Sequence, residues 1–113
     1  MNEGDRIRLR HMIDAAQEAL AFTQSKQRRD LEADRMLALA LVKEIEIIGE
    51  AASNISDEFR SSHPQIPWPK AIGMRHRLVH AYFEIDINIL WTTVNDALPP
   101  LIAALESLIA EPE

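Results

Sequence analysis

The placement of glycine and proline constrains this chain more than any other feature. Both are nearly absent outside residues 49–73 and the Pro99–Pro100 pair, and residues 5–48 and 74–98 contain neither. No segment sustains an alternation of apolar and polar residues, so the expectation is an all-α protein. With 113 residues, 47% of them hydrophobic, the chain is long enough for one real core and too short for two. A single helical domain over 1–113 is expected. Pro64, Pro67 and Pro69 forbid a continuous helix through His63–Pro69. The pattern therefore predicts four to five helices in an up-and-down bundle.

The first helix is expected to start near Asp5 as N-cap, with Leu9, Met12, Ile13, Ala16 and Leu20 on one face. It ends before Ser25–Arg29, a basic cluster read as a solvated helix end. A long central helix should run from Asp30 to about Ser56, with Leu37-Leu41-Ile48 and Val42-Ile45-Ala52-Ile55 as two stripes. Its segment Met36–Val42 is apolar all round and must be covered on more than one side. Gly49 interrupts good helix formers at a cost of about 1 kcal/mol, which points to close approach by another backbone. Glu50 beside it reads as a surface carboxylate ahead of a buried arginine partner. Ile66 and Trp68 need burial, so the proline-rich connector should be ordered, and Pro69 suits the first turn of a third helix. Asp86 caps a fourth, with Ile87, Leu90, Trp91, Val94 and Leu98 on its buried face; Pro99–Pro100 ends or kinks it before Leu101, Leu105, Leu108 and Ile109.

Cysteine is absent, so neither disulfides nor thiolate metal sites are available, and a reducing cytoplasm is the expected compartment. The charged N-terminus lacks an apolar signal core. The longest apolar run, Met36–Val42, falls far short of the roughly 20 residues a membrane span needs, so the chain is expected to be soluble.

Charge is distributed unevenly. The chain carries a net −6, yet the window Phe59–Phe83 has no Asp or Glu and holds Arg60, Lys70, Arg75 and Arg77 with His63, His76 and His80. Such a segment suits an anionic ligand. Continued as a helix, Met74, Leu78 and Ala81 form a core stripe, His76 and His80 face away from it, and Arg75 and Tyr82 lie at the border. Val79 and Phe83 point partly with the histidines, and an exposed apolar face implies a partner, here a second copy of the chain. Three readings of this set compete. The residues are surface and interface polar groups around a half-buried tyrosine; or His76 and His80 ligate a metal, against the repulsion of the flanking arginines; or they perform phosphodiester chemistry. In the last, histidine moves protons and arginine forks onto phosphate, while the RNA 2′-OH supplies the nucleophile.

Ile47-Ile-Gly-Glu-Ala-Ala52, His63-Pro-Gln-Ile-Pro-Trp68, Gly73-Met-Arg-His-Arg-Leu-Val-His-Ala-Tyr-Phe83, Leu90-Trp91 and Leu98-Pro99 together strongly resemble the HepT-like toxins of the HEPN superfamily. The most specific element is Arg-x4-His-x-Tyr, formed by Arg75, His80 and Tyr82. The resemblance implies a homodimeric helical bundle in which Arg and His of both subunits meet in an interfacial cleft, acting as a metal-independent ribonuclease without cofactor. It also implies a partner, an MntA-like minimal nucleotidyltransferase antitoxin that silences the toxin by transferring AMP to Tyr82. Many HEPN proteins carry Asn where this chain has His76, which is assigned a supporting role. On chemical grounds His80 takes the 2′-OH proton, Arg75 stabilises the phosphorane, and Lys70 and Arg77 position the RNA backbone. The rival expectation is a non-catalytic helical dimer that serves as binding or substrate partner of the nucleotidyltransferase; there Tyr82 matters and the Arg-His pair does not.

Overall fold

The computed structural model describes residues 1–80 and 84–111, His80 through its backbone. Among these, α1 (Glu3–Phe22), α3 (Arg35–Ser53), α5 (Trp68–Leu78) and a continuous run of α6 (Ile87–Thr92), a π-helical turn (Thr93–Ala97) and α7 (Leu98–Ala110) form four rods. Short helices α2 (Arg28–Ala33) and α4 (Asp57–Ser62) precede and follow α3, and the pair β1 (Val79–His80) and β2 (Glu84–Ile85) follows α5. Helix α3 is central, packing on α1 along one side and α5 along another, while α7 returns against α1. The protein is an all-α bundle, as the glycine and proline pattern predicts.

The predicted stripes form the core. Leu9, Met12, Ile13 and Ala16 of α1 are fully buried, as are Leu41, Ile48, Leu90, Val94, Leu98 and Leu105. Val42, Ile45, Ala52 and Ile55 are buried too. Met36 remains 79% and Leu39 42% exposed, so the all-round apolar start of α3 is covered on part of its circumference by its own chain. At Gly49 a Cβ would lie 3.1 Å from the Ile72 carbonyl oxygen and 3.3 Å from that of Ala71. The glycine is therefore where the α5 backbone closes onto α3, the reason inferred from sequence.

Helix starts differ from expectation in two places. Asn2, not Asp5, caps α1, its Oδ1 accepting the Asp5 amide at 2.7 Å. Asp5 is buried and instead accepts from Ser56 N at 2.9 Å and Ser56 Oγ at 2.7 Å, tying α1 to the start of α4. The expected Asp30–Ser56 helix is divided: Asp30 accepts from Gln27 N at 2.6 Å at the start of α2, and an extended Asp34 then caps α3 by accepting from Leu37 N at 3.1 Å. The Ser25–Arg29 cluster is exposed, as expected of a helix end.

The connector to α5 is ordered as predicted. Trp68 Nε1 donates to the His63 carbonyl at 2.9 Å, Ile66 and Trp68 are buried, and the His63 ring stacks on Phe59 at 4.1 Å. His63 thus holds the connector together, and its Nε2 lies 3.7 Å from Glu111 Oε2. Pro69 occupies the first turn of α5, and Asp86 caps α6 through Ile89 N at 3.0 Å. Pro99 and Pro100 do not end the last rod. Lacking amide hydrogens they fit the first turn of α7, and the wider turn before them, with Leu98 N bonded to Thr93 O, absorbs the mismatch.

Candidate functional site

Helix α5 is short because its end is fixed on both sides. Its last turn carries Arg75 and Arg77, cations favoured at the negative end of the helix dipole, with His76 between them. Beyond Leu78 the backbone becomes extended: Val79 pairs with Ile85 and His80 with Glu84, while Asp86 N donates to the otherwise orphaned Leu78 carbonyl at 2.7 Å. The helical wheel that carried the predicted site through residue 83 therefore fails after Leu78. Met74 and Leu78 do face the core and His76 is exposed, but His80 lies on extended chain, so the i, i+4 helical spacing that motivated a His76–His80 metal pair is not realised. Among the described residues no group of three or more metal-ligating side chains occurs. Ala81, Tyr82 and Phe83 lie outside the described residues, and with them the predicted modification site.

Arg75 points toward α3. Its Nε donates to Glu46 Oε1, and Glu46 Oε2 lies 3.7 Å from Lys43 Nζ, so one carboxylate sits between two cations. With Nε engaged, the terminal guanidinium nitrogens of Arg75 keep donors for a further acceptor. Glu50, the acid weighed from sequence as an arginine partner, is exposed on the next turn, and Asn54 Nδ2 bonds its carbonyl at 2.9 Å. The surface reading of Glu50 holds.

Arg75 and His76 form one wall of a groove of about 840 Å³ between α1, α3 and α5. Lys43 and Glu46 line its α3 side, and Arg8 and His11 its α1 side. Arg8, His11, Lys43 and Glu46 lie outside the window that the sequence marks as the site. Their signal was present: Arg8 and His11 stand three apart on α1, and Lys43, Glu46 and Glu50 recur on one face of an otherwise apolar α3. Lys70 and Arg77 are not brought to this groove. They line a different depression, with Asn88, Thr92 and Asp96.

A further buried acid lies on α3. Glu44 is 4% exposed, its Oε2 has no hydrogen-bond partner among the described residues, and its pKa is pushed up from 4.5 to about 7. Burial is the main cause, followed by a hydrogen bond to Glu18 and the charge of that residue. Glu44 is not among the residues lining the groove.

A family model described as ribonuclease HepT-like matches residues 12–108. The chain is 40% identical over 87 residues to a protein of Thermococcus cleftensis named probable ribonuclease HepT, covering 77% of this chain and 79% of that protein. It is 32% identical over 95 residues to a Methanocaldococcus jannaschii protein named as a candidate RNase, covering 84% and 87% of the two chains. A similarly named protein of Caldanaerobacter subterraneus subsp. tengcongensis is 32% identical over 101 residues, covering 89% and 90%. No solved structure matches the chain with significance. The matched span includes Arg75, His76, His80 and Tyr82 together with Lys43 and Glu46, and over this length the chain belongs to the ribonuclease HepT-like family.

Proposed function

We propose that this protein is a metal-independent endoribonuclease and the toxin of a type VII-like toxin-antitoxin pair. The observation that carries the reading is Arg75, held through Nε by Glu46 at the edge of a groove that also takes His76, within the acid-free window of the chain. The relatives' names as ribonucleases support the substrate class. His80 removes the proton of a ribose 2′-OH, and the oxygen attacks the adjacent phosphorus. Arg75 stabilises the negative charge that gathers on the non-bridging oxygens. The P–O5′ bond breaks as the departing O5′ takes up a proton returned by the protonated imidazole, leaving a 2′,3′-cyclic phosphate, a 5′-OH and a neutral histidine. His76 supports the site by hydrogen bonding, and Lys70 and Arg77 hold more distant phosphates.

The working unit is a homodimer with Arg75 and His80 of both copies around one cleft. Uncovered Met36 and Leu39 on α3 and half-buried Val79 beside the site are apolar groups that a second copy would cover. Neutralisation is by an MntA-like nucleotidyltransferase: the Tyr82 hydroxyl attacks the α-phosphorus of ATP, pyrophosphate leaves, and the attached AMP opposes RNA by charge and bulk.

The test is cleavage of RNA by purified protein in excess EDTA. Activity should persist and fall by about two orders of magnitude or more in His80→Ala and Arg75→Ala, the scale of a lost acid-base or charge-stabilising group. Loss on chelation with recovery on added zinc or magnesium would restore the metal reading. Tyr82→Phe should remain active and escape its nucleotidyltransferase, read as absence of the AMP mass increment. If the wild type cleaves no RNA yet accepts AMP on Tyr82, the non-catalytic partner reading is the better one, with Arg75 serving its ion pair to Glu46.

A further inference from the structure

Four arginines are half-buried among the described residues: Arg6, Arg8, Arg60 and Arg75. Arg60 pairs with Asp57, Arg75 with Glu46, and Arg6 is also engaged. Arg8 alone of these has no hydrogen bond or ion pair among the described residues, although its guanidinium presents five N–H donors. The side chain lies over Gly4, where a Cβ would come within 2.8 Å of Arg8 Nη1, so any larger residue at position 4 would displace the guanidinium. Both residues line the groove, as does exposed His11 one turn further along α1, across from Arg75 and His76. Gly4, Arg8 and His11 all precede the residues matched by the family model.

We infer that Arg8, with His11, forms a second phosphate subsite on the α1 wall of the groove, which holds a phosphodiester of the same RNA strand beside the one engaged by Arg75. The inference rests on the ribonuclease reading above. A guanidinium without an acceptor among the described residues, lying over a glycine and lining the same groove as the proposed catalytic arginine, is a binding group for an anion that enters with the substrate. Arg8 is a binding residue and takes no part in proton transfer, so its loss should weaken association while leaving the chemical step largely intact.

The experiment measures cleavage kinetics of a single-stranded RNA and, in parallel, the binding of a 12-residue, fully 2′-O-methylated RNA that cannot be cleaved by 2′-OH attack. Arg8→Gln should raise KM about five- to tenfold with kcat within about twofold, and lower the salt dependence of binding by about one counterion. Arg8→Lys should recover most of the salt dependence. Arg10→Gln is the control, because Arg10 is exposed and does not line the groove. Unchanged KM and salt dependence in Arg8→Gln, with wild-type cleavage intact, would overturn the subsite and leave the ribonuclease reading standing. An equal effect from Arg10→Gln would also overturn it, by showing only a general loss of positive charge. A wild type that neither cleaves nor binds RNA would remove both.

Discussion

Replacing Glu44 by Gln should make the protein more stable at pH 8 and nearly unchanged at pH 4.5. The carboxyl is 4% exposed, one of its oxygens is unpartnered among the described residues, and its pKa is about 7 against an ordinary 4.5. Between those two values the folded chain binds a proton that the unfolded chain has released, so unfolding free energy falls as pH rises. The stabilisation associated with the protonated group is fully present below pH 4.5 and is lost as pH passes about 7. At about 1.4 kcal/mol for each tenfold change in proton affinity, the loss amounts to about 3 kcal/mol, a large share of a small domain's 5–15 kcal/mol. Gln keeps the shape and cannot ionise. The assay is urea unfolding of wild type and Glu44→Gln from pH 4.5 to 8 at one fixed protein concentration, since any association would add to apparent stability. Other titrating groups contribute to both proteins, so the quantity that matters is the difference between them. A difference that stays flat across this range, or a variant less stable than wild type at pH 8, would show that Glu44 is ionised and satisfied in the folded state.

Gly49→Ala gains about 1 kcal/mol of helix propensity, but its methyl meets backbone carbonyls of Ile72 and Ala71 that cannot rotate away. A net loss of about 1–2 kcal/mol is expected by denaturant unfolding, together with reduced cleavage, because the displaced helix carries Arg75; an equally stable variant would remove the close-packing argument. Asp5→Ala leaves Ser56 N and Oγ without their acceptor at the start of α4 and should destabilise by about 2–3 kcal/mol. Asp5→Asn, which keeps one acceptor, should lose less in the same measurement.

Much of the fold was legible in sequence because helices are local objects. The apolar recurrences of α1 and α3 depend on residues within about two turns of each other, and they predicted which faces are buried. Pro69 and Asp86 act on their own first turns, and both stand where the local chemistry required. Gly49 went further, since its missing side chain announced an intruding backbone without saying which. The acid-free window was equally legible, because it is a property of composition, and the Arg75, His80 and Tyr82 spacing carried the family resemblance.

What only the tertiary structure decided are relations between distant segments. Glu46 meets Arg75 across 29 residues and Ser56 meets Asp5 across 51, so neither partner could be chosen from local pattern. Sequence reading weighs only Glu50 as a carboxylate partner for an arginine, and the register of α5 on α3 gives that place to Glu46, one turn earlier. Asp5 and Asp30 both look like helix caps in sequence, yet Asn2, Gln27 and Asp34 take the N-cap positions of α1, α2 and α3. Helix α5 stops at Leu78 because Val79 and His80 find strand partners in Ile85 and Glu84, which no periodicity within 72–83 reveals. Arg8 and His11 join the groove for the same reason: α1 is laid against α3 by their shared core. Periodicity specifies which face of a helix is apolar, whereas the depth and register at which two faces interlock is settled only when all side chains pack at once.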